Sequence, residues 1–259
     1  MEGRLTLSDK SDQLSEPLLT MRMKHRVGTV LLDVSFVLTE PWTVLFGPSG
    51  SGKTTVLRTI AGFVRPYEGL IARGAEVLVD CKAGVFLPAH NRPVRSAGQT
   101  ERLFPNKTVR ENILYGIGRN SKPEETRELV DEVFELFRVK TTAERLPRDL
   151  SGGERQRVSV ARAVASAVTA DCNQRGLLLL DEPFAGLDMR VRDALLIELK
   201  AWLSARKTPV LSVTHDVSEA FLLDAEVIRI ADGKVVQQGP VDEVLEEERL
   251  RLLEQLRER

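Results

Sequence analysis

Cysteine is nearly missing from this chain: two residues, Cys81 and Cys172, in 259. They lack metal-ligand spacing and point to a reducing compartment. Net charge is nearly missing too. The 37 basic side chains stand against 38 acidic ones, which excludes the basic footprint of a nucleic-acid or anionic-membrane binder. No apolar run approaches the ~18 residues of a membrane span, and no secretory signal is present, so membrane attachment is expected from a partner. Aromatic residues make up 5% of the chain, and none falls between Met21 and Asp33. What is plentiful is hydrophobic content, 42% of 259 residues. That is enough for a large core, organised as one composite domain.

Against that background one segment is rich in glycine: Gly47-Pro48-Ser49-Gly50-Ser51-Gly52-Lys53-Thr54, directly after the apolar run Trp42-Thr43-Val44-Leu45-Phe46. A glycine-rich turn between a buried strand and a helix lets several backbone N–H groups point into one concavity. The helix that follows, Lys53-Thr54-Thr55 onward to Ala61, adds the positive end of its dipole. Such a loop binds a triphosphate. Lys53 reaches the β- and γ-phosphate oxygens and the Thr54 hydroxyl ligates Mg²⁺. Gly62 and Pro66 then stop the helix.

A second glycine-rich segment, Leu150-Ser151-Gly152-Gly153-Glu154, has Ser151 and Glu154 in capping-box spacing ahead of a helix. It is a second anion site, and one nucleotide needs no second site from a single chain. A symmetric dimer, each chain closing the other's nucleotide, resolves this. The run Leu177-Leu178-Leu179-Leu180 reads as a parallel strand covered on both faces, ending in Asp181 and Glu182. Asp181 is placed to hold Mg²⁺ through water and Glu182 to polarise the attacking water. Another run, Val210-Leu211-Ser212-Val213, ends in Thr214-His215-Asp216, which puts His215 at a strand tip where α/β sheets place ligands. His25 and His90 read as structural or merely exposed.

Phosphate loop, Gln99 with Leu103-Phe104-Pro105, Leu150 to Glu154, Leu177 to Pro183, Ala185-Gly186-Leu187-Asp188 and Thr214-His215-Asp216 stand in the order and spacing of ABC transporter ATPase subunits. The chain resembles that family from about residue 21 to about residue 240. Phe86-Leu87-Pro88-Ala89-His90-Asn91-Arg92 and Thr108-Val109-Arg110-Glu111-Asn112 resemble its importer branch, whose ATPases serve molybdate, sulfate and sugar uptake, with molybdate-type subunits nearest. The resemblance implies ATP and Mg²⁺ as cofactors. The cofactor-binding residues are then Gly47 to Thr55 and Ser151 to Glu154, and the metal is held by Thr54, Gln99 and Asp181. The hydrolytic set is Glu182, His215, Lys53 and Gln99, the last also sensing the membrane subunit through its loop. Partners are a second copy, head to tail, and transmembrane permease subunits at the cytoplasmic face of the plasma membrane. An exporter ATPase, or a soluble ABC ATPase of DNA repair or translation, is the alternative.

The expected fold is α/β: a P-loop NTPase (RecA-like) core, an antiparallel β subdomain and an inserted α-helical subdomain over about 100–165. The divisions are a polar tail at 1–20, the ATPase domain at 21–243 and a C-terminal helix at 244–259. Helices are expected from Thr108 and from Ser121-Lys122-Pro123-Glu124, the latter buried along Leu129, Val133, Leu136 and Phe137. Three departures from relatives stand out. The strand into Gln99, Pro93-Val94-Arg95-Ser96-Ala97-Gly98, is unusually polar. No aromatic lies between Met21 and Asp33, where relatives carry the residue that stacks on adenine, leaving only His25 or Arg26 with a flat face and adenine selectivity loose. Residues 168–176 form an insertion without a functional account. Relatives of this branch commonly carry a further β-rich domain after the position of Gly239-Pro240. With only a charged helix there, molybdate, sulfate or sugar is not expected to inhibit through this subunit.

Overall fold

The computed structural model describes residues 17–117, 123–169 and 176–257. The first strands, β1 (Leu19–Val27) and β2 (Val30–Leu38), pair antiparallel, so Leu19 and Thr20 belong to the sheet and not to a tail. Every second side chain of β2 from Leu32 to Leu38 is buried, the period of a half-covered strand. β3 (Trp42–Phe46) is buried throughout and runs through the glycine loop into α1 (Lys53–Ile60). Gly62, at φ 87°, ends that helix in the left-handed conformation that favours glycine. β4 (Glu68–Arg73), β5 (Glu76–Asp80) and β6 (Val85–Phe86) extend the antiparallel patch, β4 pairing with β1.

β7 (Val94–Ala97) is the far edge strand, which explains its polarity. Val94 and Ala97 are buried, while the Arg95 guanidinium donates to Ser166 Oγ and to the carbonyls of Arg92 and Val94. Between β7 and the next strand lie α2 (Val109–Gly116), α3 (Pro123–Leu136) and α4 (Gly152–Val168). Capping boxes open α2 at Thr108–Glu111 and α4 at Ser151–Glu154. The buried stripe of α3 continues past its end as Val130, Val133, Phe134, Leu136 and Phe137. Leu129 is only partly covered, because the stripe follows 130, 133, 134 and 137 at helical spacing. Ser121 and Lys122, and most of the 168–176 insertion with Cys172, lie outside the described residues.

β8 (Leu177–Asp181), α5 (Met189–Ala205), β9 (Val210–Thr214), α6 (Val217–Leu222), β10 (Glu226–Ala231) and β11 (Lys234–Pro240) complete the core. Asp232 and Gly233, both at positive φ, make the β10–β11 hairpin turn. The C-terminal helix does not begin at 244: α7 (Val241–Val244) stops at Leu245 and α8 (Glu246–Arg257) follows. Val241, Val244 and Leu245 are buried and anchor this end against the core.

All the strands among the described residues join one sheet in the order β6-β5-β4-β1-β2-β11-β10-β3-β9-β8-β7. From β10 through β7 the neighbours are parallel. Leu177 and Leu179 point into a core shared with α1 and β1, whereas Leu178 and Leu180 point into a core shared with α3, α4 and α5. Covering both faces of β8 stabilises by about 1.5–3 kcal/mol for each leucine. It also fixes four parallel strands, β3, β7, β8 and β9, so that their C-terminal ends open on one edge. That edge is where a parallel sheet presents a ligand site.

Candidate active site

The glycine loop is shaped by close approaches. A Cβ on Gly47 would stand 2.2 Å from the Ile230 carbonyl oxygen, and one on Gly52 2.3 Å from Leu32 Cδ2. Gly52 is the N-cap of α1 at φ 99°, with no side-chain cap and no acidic residue in the first turn. α2 and α4 cap themselves with a carboxylate; α1 leaves its first N–H groups and dipole for an external anion. Ser51 Oγ is buried with no partner, a second sign of an absent acceptor.

Lys53 is buried, and its ammonium donates to the carbonyls of Gly47 (2.7 Å) and Pro48 (2.8 Å). Burial lowers its pKa, opposed by the nearby Glu182 and Asp181 carboxylates, and one N–H remains for a phosphate oxygen. Asp181 ends β8. Burial raises its pKa, while a hydrogen bond from the Thr54 hydroxyl and the Lys53 charge lower it. Thr54, Asp181 and Gln99 line the same cavity. Their hard oxygen donors suit Mg²⁺.

Glu182 is held in an uncommon left-handed conformation, φ 48°. Its carboxylate is bracketed: Oε1 lies 2.8 Å from His215 Nδ1, and Gln99 Nε2 donates to Oε2 at 3.3 Å. Gln99, Glu182 and His215 come from the ends of β7, β8 and β9, and strand register alone brings them together. The cavity they adjoin, about 380 Å³, is lined by Ser49, Gly50, Gly52, Lys53, Thr54 and Thr55 on one side and by Gln99, Asp181 and Glu182 on the other. Gly47, Pro48, Ser51 and His215 are not among its lining residues. Val27, Val30 and Leu32 form its aliphatic end. Neither His25 nor Arg26 lines it; the His25 ring packs 6.5 Å from that of Tyr67 instead.

Ser151, Gly152, Gly153 and Glu154 do not line this cavity. Glu154 Oε2 accepts from the Ser151 amide and hydroxyl, both at 2.7 Å. These bonds hold the Glu154 carboxyl below its usual range.

Two residues behind the site gave no usable sequence signal. Gln156 Nε2 donates to the Glu182 carbonyl at 3.1 Å. Glu219, on α6, is buried; Thr214 Oγ1 donates to its Oε2 at 3.0 Å, while Oε1 has no partner. Burial pushes the Glu219 pKa up to about 7, with Thr214 and Arg192 pulling down and Asp216 and Glu182 pushing up. The native state therefore holds a proton that the unfolded chain releases near 4.5. This group's contribution is full below pH ~4.5, is lost as pH rises toward ~7, and is flat above. Across that window it amounts to about 3 kcal/mol at most. Glu219→Gln should flatten this part of the profile, gaining about 1–2 kcal/mol over wild type at pH 8 and nothing at pH 4.5. Urea midpoints at the two pH values check it; equal shifts at both would remove Glu219 as the titrating group.

A parallel-sheet edge with a glycine phosphate loop, a buried lysine and a carboxylate held by glutamine and histidine defines a P-loop nucleotide-binding protein. The ABC transporter family model matches residues 31–185, and the chain belongs to that family. It is 39% identical to the molybdenum import ATP-binding protein ModC of Mesorhizobium japonicum, over 86% of this chain and 58% of that protein. ModC of Rhizobium etli is 38% identical over 88% of this chain and 62% of that protein. The spermidine/putrescine import ATP-binding protein PotA of Nitratidesulfovibrio vulgaris is 38% identical over 78% and 52%. The chain thus spans about six-tenths or less of the length of these curated relatives. Among solved structures, the dimeric bacterial ABC transporter cassette MJ0796 superposes with TM-score 0.70 at 24% identity, covering 86% of this chain and 98% of that one. A second structure of that cassette, a dimeric post-hydrolysis state bound to ADP and phosphate, gives TM-score 0.69. Both share the fold.

Proposed function

We propose that this chain is the ATP-hydrolysing subunit of an ABC importer, working as a head-to-tail pair at the cytoplasmic face of a permease, with molybdate or another oxyanion as cargo. The observation that carries the hydrolytic reading is the Gln99–Glu182–His215 cluster at the mouth of the Lys53 cavity. The import direction and the oxyanion rest on the relatives and on the Phe86–Arg92 and Leu103–Pro105 segments. In this reading the ATPase domain runs from β1, which begins at Leu19, through α7, with a helical subdomain over about 100–165 and α8 (Glu246–Arg257) as the C-terminal helix.

The chemistry is mainly positioning and electrostatics. The loop amides, the start of α1 and the Lys53 ammonium grip the phosphates. Thr54, Asp181 and Gln99 would hold Mg²⁺, which would supply charge neutralisation at the phosphates. Glu182 orients water and takes its proton, while Gln99 and His215 steady the carboxylate. The aliphatic end formed by Val27, Val30 and Leu32 offers area to a base but no ring to stack on, so selectivity among purines is loose.

Ser151 and Gly153 lie off the chain's own cavity, and in the head-to-tail pair they close the nucleotide of the second copy. Mixing tests this. Lys53→Ala and Ser151→Ala should each be inactive as homodimers, but their heterodimer would have one site built from intact halves. Partial ATPase activity should return on mixing. Proven heterodimers with none would overturn the shared site. Co-purification with a transmembrane subunit tests the transport role.

A further inference from the structure

Glu182 carries a backbone that a residue with a side chain rarely adopts, at a cost of order 1–2 kcal/mol. Something must hold it. On the amide side, Glu182 N donates to the Val213 carbonyl at 3.1 Å, which ties it to β9. On the carbonyl side, Glu182 O accepts from Ala185 N at 3.3 Å within its own turn and from Gln156 Nε2 at 3.1 Å. Gln156 is the carbonyl's partner from another element, as Val213 is the amide's. It is 8% exposed and belongs to α4, the helix whose capped first turn is Ser151 to Glu154.

A second contact lies on the same face of α4. Gly153, three residues before Gln156, is so close to the segment after Glu182 that a Cβ there would stand 2.7 Å from Leu187 Cδ2. The start of α4 thus grips both ends of the turn from Glu182 to Leu187, and its capping box makes that start rigid.

We infer that Gln156 is a positioning residue for hydrolysis, fixing the Glu182 backbone so that its carboxylate stays between Gln99 and His215 and coupling that geometry to whatever engages Ser151 and Gly153. The inference rests on the proposed role of Glu182. Without the Gln156 amide, the Glu182 carbonyl keeps only its longer local bond and the peptide can turn. A displacement of 1 Å at a reacting group costs up to ~10²-fold in rate. In a head-to-tail pair, a nucleotide seated against Ser151 of one chain thereby sets the carboxylate of that chain's own cavity, so the two sites are coupled.

Gln156→Met keeps volume and burial but removes the donor; Gln156→Asn keeps the amide but shortens its reach. Both should lower kcat for ATP about 10-fold or more, leave KM and the Kd for nucleotide within about 3-fold, and reduce cooperativity in ATP concentration. In a Glu182→Gln background, Gln156→Met should lower residual turnover no further, since both act through one carboxylate. A folded Gln156→Met protein with wild-type kcat overturns the inference. So does a loss that appears only in KM, a further 10-fold loss on top of Glu182→Gln, or melting so lowered that the role is plainly structural. Absence of ATP turnover in the wild-type chain with its permease would instead overturn the ATPase reading itself, and that control separates the two failures.

Discussion

Glu182→Gln should retain nucleotide binding and lose turnover by about 10²–10⁴-fold, the range expected when a positioned general base is removed. The amide keeps the shape and can still accept from Gln99 or pair with His215, whose contacts with the carboxylate are 3.3 Å and 2.8 Å. It cannot take a proton. Lys53, the loop amides and the start of α1 are untouched, so the Kd for ATP should change by less than about 3-fold. With hydrolysis blocked, ATP-bound pairs should accumulate on a sizing column and dissociate when ATP is removed. Turnover within 3-fold of wild type would take the base role away from Glu182.

How much of this was visible in the residues alone depends on the range of the interaction concerned. The phosphate loop, both capping boxes and the Leu177–Leu180 strand are local patterns, and each falls where the sequence places it. Asp181, Glu182 and His215 were legible because strand ends in a parallel sheet share one edge, so marking the strands marks the site. Gln99 was the weakest of these, since it follows the polar β7, and the edge position of that strand explains why its polarity does no harm. The rest could not be read. Leu129 and Val130 differ by one helical step, and only the facing core decides which is buried. Gln156 and Glu219 look like ordinary polar residues in a helix, and Arg92, though part of a family-like segment, shows no sign of its structural role. Their importance comes from partners 26, 5 and more than 30 positions away, and from burial that no local pattern marks. The aliphatic end of the cavity escaped for a related reason: the absence of an aromatic was visible, but not that Val27, Val30 and Leu32 stand in its place.

Arg92→Met should unfold at much lower denaturant than wild type, by about 2–4 kcal/mol, close to the upper range of single substitutions. Arg92 is 1% exposed. Its Nη1 donates to the carbonyls of Thr59 and Ile60, both at 2.8 Å, and its Nε to Leu87 O at 2.7 Å. The first two belong to the last turn of α1, so a buried cation stands at the negative end of the phosphate-binding helix. Burial pushes its pKa down to about 10, so at pH 7 it is charged. Its pKa in the unfolded chain is higher, and the cost of burying the charge is therefore constant below about pH 10. Methionine removes that cost, which limits the loss, but it leaves carbonyls without their donor, and that penalty is the larger. Arg92→Lys keeps the charge, yet one ammonium cannot reproduce the fork that spans Leu87 and the end of α1. It should recover less than half of the loss. Thr54 and Lys53 sit at the other end of the same short helix, so ATP should protect the variant strongly, through linkage. A urea midpoint for Arg92→Met within about 1 kcal/mol of wild type would mean that the end of α1 is held by the sheet alone and not by this side chain.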